Sequence, residues 1–206
     1  MVETAKYIIF CPPNGFDSFG ELDEFSKNAL KKAVEIYRYS RKQGLKVAFG
    51  ITRCIVRNPR GDICWRVWLE AVQKEGVDPE HIVVSKKRVW NILTDGRAVL
   101  EIAEKNPEAR IVIVVFYDYP ISSYIETAYR AVAKHICGRP ELNLEMHTPQ
   151  MGPTPDAESR KRYARILRLT RWASKGRLRF LCYYCLRNLA EIPRLVYFTR
   201  TVKEVR

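Results

Sequence analysis

The chain has 206 residues, of which 47% are hydrophobic and 29% are charged, and this composition excludes an intrinsically disordered protein. Its length suits one domain with a full hydrophobic core and a short helical extension. The formal net charge is +13, and most of it lies in residues 157–206, which hold 14 Lys or Arg against three Glu.

The predicted elements alternate along the chain. Short apolar runs predict four strands, at residues 6–11, 45–51, 82–85 and 109–116, and an alternating pattern predicts a fifth at residues 141–149. Apolar residues at helical spacing predict six helices, at residues 21–43, 63–74, 90–105, 120–136, 155–174 and 178–199. Asp62 is the expected cap of the second helix, and Pro120 is expected in the first turn of the fourth.

This alternation predicts an α/β fold, a three-layer Rossmann-like sandwich around a mostly parallel five-stranded sheet, with a C-terminal helical pair. We assign residues 1–153 to the Rossmann-like core. Residues 154–206 form basic C-terminal helices that we expect to pack on the same domain.

No stretch has the length and apolarity of a membrane span. The apolar run near the start of the chain ends at Pro12, and the most apolar late stretch, LRFLCYYCLRNLAEIPRLVYF, is interrupted by four charged residues. A span needs about 20 nearly uninterrupted apolar residues. We therefore expect a cytoplasmic protein without a membrane span.

Loops after the strands are the candidate ligand sites, because an open parallel sheet binds ligands beyond the carboxyl ends of its strands. The first such loop carries Asn14 and Asp17, which suit either a ligand or turn hydrogen bonds. The last carries Asp118 ahead of Ser122 and Ser123, in the first turn of a helix whose free N–H groups attract anions. Capping explains Asp118 and Ser122 equally well.

The two middle loops are also polar. Residues 52–62 include three arginines, which suit either a phosphate or solvent. The stretch SKKRVWNILTDGRAVLEIA carries Asn91, Thr94 and Asp95 at the start of its helix. If the helix has begun at Asn91, the three form one polar face. They either cap the helix or line a site, with Asp95 as the acid/base or ribose-binding candidate.

Four stretches carry a family resemblance: GVDPEHIVV, WNILTDGRA, VVFYDYPISSYIETAYRA and LAEIPRLVYF. In their order along nearly the whole chain they resemble the YdcF/SanA-like family, the domain of unknown function numbered 218. By this resemblance Asn91 and Asp95 stand for the two asparagines of that family's S-R-N-T-x-x-N-A segment. Ile92, Pro120 and Ser123 replace its threonine, histidine and arginine. The resemblance implies a Rossmann-like scaffold.

The six cysteines favour small apolar thiols in a reduced protein. Cys182 and Cys185 form one C-x-x-C inside an apolar helix, where we expect buried thiols, and no second Cys or His pair completes a zinc site. The spacing of Cys54 and Cys64 does not show whether they bridge. The three histidines are too dispersed to predict a catalytic triad.

The helix at residues 155–174 has two faces. An apolar stripe is expected to dock on the sheet, at Tyr163, Ile166, Leu167, Thr170 and Ala173. A basic ridge lies on another side, at Lys161, Arg165, Arg168, Arg171, Trp172 and Lys175. Such a ridge suits phosphate contacts with nucleic acid, an anionic membrane surface, or a solvated surface without a partner.

Two hypotheses therefore remain. In the first, the protein binds a small anionic ligand at the strand ends, with a nucleotide or S-adenosylmethionine as candidate cofactor, and whether it catalyses a reaction stays open. In the second, it is a non-catalytic α/β domain that binds RNA or a ribonucleoprotein through the basic ridge. We favour the first, because polar residues cluster where the sheet rule places a pocket.

Overall fold

The computed structural model describes residues 5–12, 15–115, 119–139, 143–147 and 156–201, with side chains as far as residue 191. The elements run β1 (Tyr7–Phe10), α1 (Glu24–Lys42), β2 (Val47–Cys54), α2 (Cys64–Lys74), β3 (Ile82–Val89), α3 (Ile92–Glu104), β4 (Arg110–Val114), α4 (Ile121–His135), β5 (Leu144–His147), α5 (Ala157–Ala173) and α6 (Arg177–Thr201). None of these helices is long and apolar enough to cross a membrane.

The five strands form one sheet in the order β3-β2-β1-β4-β5, and all four pairings are parallel. The predicted Rossmann-like α/β fold is confirmed. The chain moves outward from β1 to β3 and then crosses back to β4, so the strand order reverses beside β1. The loops after β1 and β4 therefore flank the switch point at the carboxyl edge of the sheet.

Helices cover both faces of the sheet. On one face, α1 and α2 bury side chains such as Val34 and Trp68 against the strands. On the other, α3 and α4 bury Val99 and Tyr129. The helical pair α5–α6 lies outside this second layer, where Leu167 packs against α4. In the predicted apolar stripe of α5, Leu167, Thr170 and Ala173 are buried, whereas Tyr163 and Ile166 are half-buried. The stripe packs mainly against α4 and α6, and only Tyr163 also reaches the cluster that covers the sheet.

Two predicted element boundaries were wrong at the carboxyl edge. β2 and β3 each continue beyond their predicted ends, to Cys54 and Val89, so α3 begins later than predicted, at Ile92. Asp62 does not cap α2, because its backbone N–H donates to Asn58 Oδ1 at 2.8 Å and its carboxylate accepts from the Asn58 amide at 3.3 Å. This closed loop between β2 and α2 leaves α2 without a side-chain cap.

The prediction of buried thiols on α6 was also wrong. Cys182 and Cys185 are exposed, and so is Leu178 on the same side of the helix. The side of α6 that packs on the domain instead carries Phe180 and Tyr184. Aromatic side chains bury more apolar area than leucine or cysteine, so they determine which side of the helix faces inward.

We predict that Gly50→Ala lowers the free energy of unfolding by about 1–3 kcal/mol, the usual cost of overpacking a core. Gly50 pairs with Phe10 across β1 and β2, and a Cβ at Gly50 would overlap the buried Phe10 ring. Urea unfolding measures the effect. Gly176→Ala is the control, because its Cβ would meet nothing closer than Arg179 Cδ at 4.0 Å. Equal losses in the two variants would contradict the close approach at Gly50.

Candidate functional site

The start of α3 shows how its polar residues are used. Asn91 is the N-cap, and its side-chain oxygen accepts from the backbone N–H groups of Leu93 and Thr94 at 3.0 Å each. Thr94 Oγ1 accepts in return from the backbone of Trp90 and Asn91 at 3.1 Å. This reciprocal capping box accounts for Asn91 and Thr94. They cap the helix, and the expected single polar face does not form.

The Asn91 side chain makes one further contact. Its amide donates to Asn188 Oδ1 at 2.9 Å, and Asn188 lies on α6. The Asn188 amide is itself anchored to the Tyr184 carbonyl at 2.8 Å. The C-terminal helix is thus attached to the carboxyl edge of the sheet by a side-chain bond that spans almost half of the chain.

Asp95 faces into the domain. Only 6% of its surface is exposed, and its carboxylate accepts hydrogen bonds from the hydroxyls of Tyr129 and Thr52. Burial raises the pKa of Asp95, and the two hydrogen bonds oppose this effect. Asp95 connects α3, α4 and the end of β2, so it lies apart from the capping residues with which the sequence groups it.

The other predicted ligand residues are more dispersed. Asp17 accepts from the backbone N–H groups of Phe19 at 2.9 Å and Glu21 at 3.0 Å, which is a turn interaction. Ser122 and Ser123 are half-buried in the first turn of α4, and the N-cap is Pro120, so no side chain caps this helix. Asn14 and Asp118 lie outside the described residues.

Three buried hydrogen-bond donors lie on the helices that meet at this edge of the sheet. Within the described part of the chain, Trp90 Nε1, the Tyr124 hydroxyl and Arg187 Nε donate to no acceptor. We call these three residues the donor cluster. Each is an N–H or O–H group, and Tyr124 is only 4% exposed. An unpaired buried donor costs about 1–3 kcal/mol, which makes three of them a feature that requires explanation.

The contacts of α6 bring the donor cluster together. The guanidinium of Arg187 lies beside the Tyr124 hydroxyl: burial raises the pKa of that hydroxyl, and the Arg187 charge and a hydrogen bond from Arg187 oppose the increase. Because arginine only donates, the O–H of Tyr124 is still left without an acceptor. Arg187 precedes Asn188, which binds Asn91, and Trp90 precedes Asn91. The cluster therefore spans the entry to α3, the first turn of α4 and the inner side of α6.

An acceptor-rich group suits this arrangement. A phosphate or carboxylate offers only acceptor oxygens, and the fork of an arginine binds such oxygens strongly. The first turn of α4 adds backbone N–H groups and the positive end of the helix dipole.

Sequence reasoning missed all three residues of the donor cluster as site residues. One signal was present: Arg187 follows Phe180 and Tyr184 by helical steps, so the pattern of α6 places a charge on its buried side. A charge on the inner side needs partners: Arg187 Nη2 has Glu191 Oε1 at 4.0 Å, whereas Arg187 Nε has none among the described residues. Tyr124 and Trp90 carry no such signal, because buried aromatic residues are ordinary core residues.

The basic ridge is exposed, as the sequence predicts. All six of its residues lie on the surface of α5 and of the turn that follows it. Arg179 stacks on the exposed Trp172, with its guanidinium carbon 5.4 Å from the ring centroid. Between residues 156 and 191 no residue of the ridge forms an ion pair with another described residue. The ridge is a positive surface beside one exposed aromatic ring.

Among the described residues, no group of three or more His, Cys, Asp or Glu side chains gathers to hold a metal ion. No family model, curated protein or solved structure matches the chain.

We predict that Asp95→Asn alters how stability depends on pH. Because the folded-state pKa of Asp95 is raised, its stabilising contribution is fully present below the unfolded pKa and is lost as the pH rises through the folded pKa. The wild-type protein should lose stability relative to Asp95→Asn as the pH rises from the unfolded pKa through the raised folded pKa, by ~1.4 kcal/mol for each unit by which the two pKa values differ.

Denaturant unfolding across this pH range measures the effect. Asp17→Asn is the control, because it also replaces a carboxylate with an amide but does so in a surface loop. A stability difference between wild type and Asp95→Asn that stays constant with pH would show that the folded and unfolded states bind the Asp95 proton equally.

Proposed function

We propose that the protein binds a small molecule carrying a phosphate or carboxylate group, such as a nucleotide, at the carboxyl edge of the sheet. The observation that carries this proposal is the donor cluster. Its three buried groups, Trp90 Nε1, the Tyr124 O–H and Arg187 Nε, donate to no acceptor among the described residues, while the outer nitrogen of the Arg187 guanidinium lies 4.0 Å from Glu191 Oε1. An anion would supply the acceptor oxygens and remove the cost of leaving the donors unpaired.

The position of the cluster supports the proposal. It lies beyond the strand ends, where open parallel sheets bind ligands. Half-buried Ser122 and Ser123 directly precede Tyr124 in the first turn of α4 and add hydroxyl groups at a helix N-terminus. We also propose kinship with the YdcF/SanA-like family, since Asn91 and Asp95 occupy its motif positions next to the cluster.

We predict that Tyr124→Phe leaves the unliganded protein as stable as wild type, or more stable by up to about 1–3 kcal/mol, because it removes an unpaired buried hydroxyl. The same change should weaken ligand binding, because that hydroxyl is proposed to donate to the anion. Arg187→Gln should abolish binding. A thermal-shift panel of nucleotides, S-adenosylmethionine and sugar phosphates measures both effects, since ligand binding to the native state raises the Tm.

Tyr183→Phe is the matched control. The Tyr183 hydroxyl bonds to Thr170 Oγ1 at 2.8 Å, so its loss should cost about 1 kcal/mol of stability and leave binding unchanged. If Tyr124→Phe destabilises the unliganded protein as much as Tyr183→Phe does, the Tyr124 hydroxyl has a structural partner. If no compound shifts the wild-type Tm, the proposed site fails.

A second function is favoured by the basic ridge, and we propose RNA binding for it. Its cations are exposed on one side of α5, and Trp172 offers a ring for base stacking. Acidic residues on the described part of α5 are limited to Glu158, near its first turn. Contacts of this kind bind the phosphate backbone without reading sequence.

We predict that Arg165→Ala/Arg168→Ala weakens binding to single-stranded RNA. The slope of log K against log salt should fall by about 0.7 for each lost phosphate contact. Fluorescence anisotropy at several salt concentrations measures the slope. Lys27→Ala/Lys31→Ala is the control, because it removes two exposed charges from α1. If both double variants weaken RNA binding equally, the ridge acts only through the net charge of the protein and is not the RNA-binding surface.

A further inference from the structure

Cys54 and Cys64 lie at the two ends of one closed loop. Cys54 is the last residue of β2, and Cys64 is the first residue of α2. Two backbone hydrogen bonds close the loop, from Asn58 N–H to the Asp62 carbonyl and from Cys64 N–H to the Val56 carbonyl, both at 2.9 Å. Two thiols ten positions apart in sequence are thereby held at the carboxyl edge of the sheet.

The two thiols contact each other and differ in character. The hydrogen bond from Cys64 lowers the pKa of Cys54, and the bond with Cys54 together with burial raises the pKa of Cys64. Cys54 is half-buried and accessible to solvent, whereas Cys64 is only 4% exposed. One thiol is accessible to solvent, while the other is buried next to it. A nucleophilic thiol and a resolving thiol need this asymmetry.

Asp95 interacts electrostatically with both thiols. Its charge raises the pKa of each thiol, which places the carboxylate within electrostatic range of the pair. The hydroxyls of Tyr129 and Thr52 hold it in position. A buried carboxylate behind a buried thiol can accept the thiol's proton, because no solvent is required for the transfer.

We propose that Cys54 and Cys64 form a redox-active dithiol that exchanges with small disulfides, with Cys54 as the attacking thiol, Cys64 as the resolving thiol and Asp95 as the proton acceptor. This site is independent of the proposed ligand and RNA sites.

The exchange balances in two steps. The Cys54 thiolate attacks one sulfur of a small disulfide, the S–S bond of that disulfide breaks, and one thiolate leaves with a mixed disulfide formed on Cys54. Cys64 then gives its proton to the Asp95 carboxylate and attacks the Cys54 sulfur. The second small thiolate leaves, and the leaving groups take up protons from Asp95 and solvent. The small disulfide is reduced to two thiols, and the Cys54–Cys64 pair is oxidised.

The remaining cysteines provide internal comparisons. Cys11 is buried, and burial raises its pKa. Cys137 is half-buried, and burial raises its pKa as well. Cys182 and Cys185 are exposed on α6, away from any of the groups that surround Cys54. Cys137 therefore serves as the control thiol, and Cys182→Ser/Cys185→Ser removes the exposed pair from the assay.

The experiment uses the full chain with Cys182→Ser/Cys185→Ser, incubated in buffers of reduced and oxidised glutathione, quenched with acid, alkylated and mapped by mass spectrometry. We expect a Cys54–Cys64 disulfide, with Cys54 reacting at least about tenfold faster than Cys137. Cys64→Ser should accumulate the glutathione adduct on Cys54, and Cys54→Ser should leave Cys64 unmodified. Asp95→Asn should slow closure of the disulfide and prolong the mixed disulfide.

Three results would overturn the proposal. If the glutathione adduct on Cys54 never gives way to a Cys54–Cys64 disulfide, Cys54 is a single reactive thiol and Cys64 does not resolve it. If Cys54 reacts no faster than Cys137, Cys54 is not an activated attacking thiol. If the disulfide closes at the wild-type rate in Asp95→Asn, Asp95 is not the proton acceptor. The Cys64→Ser readout remains decisive if Asp95→Asn fails to fold.

Discussion

The buried hydrogen bond between Asp95 and Tyr129 is the contact on which the carboxyl edge of this protein depends. It joins α3 to α4 and, through Thr52, both helices to β2. Gly96 permits this approach, because a Cβ there would lie 2.9 Å from Tyr129 Cδ1. Burying a carboxylate is unfavourable in free energy unless it is hydrogen-bonded. The Asp95 carboxylate therefore requires its two hydroxyl partners to lie where they do. Tyr124, one turn earlier on α4, is positioned by the same contact.

The fold was largely predictable because the sheet is parallel and buried on both faces, so its strands are continuous apolar runs. The prediction was least accurate for β3, whose second half is SKKRV. β3 is an edge strand, where charged side chains are tolerated. The Glu101 carboxylate accepts from Ser85 Oγ at 2.7 Å and from the backbone of Lys87 at 3.1 Å, and it holds this polar half in place. Such a contact between α3 and β3 has no signature in the local sequence.

The rule for parallel sheets pointed to the edge where the donor cluster lies, but the residues that the sequence favoured there, Asn91 and Thr94, form a capping box. One of the three donors, Arg187, comes from α6, almost a hundred residues away, and the orientation of α6 depends on which of its two apolar sides faces inward. Arg187 is positioned only once Phe180 is buried, and pairwise packing of this kind cannot be read from periodicity.

The same edge therefore carries both proposed sites. The donor cluster lies where α6 covers the starts of α3 and α4, and Trp90 Nε1, the Tyr124 O–H and Arg187 Nε have no acceptor among the described residues. Cys54 and Cys64 lie where β2 turns into α2, within electrostatic range of the Asp95 carboxylate. Asp95 is on α3, which follows Trp90, and its partner Tyr129 is on α4, which carries Tyr124. Because the carboxylate accepts from the Tyr129 hydroxyl, a change of charge at Asp95 would act first on α4.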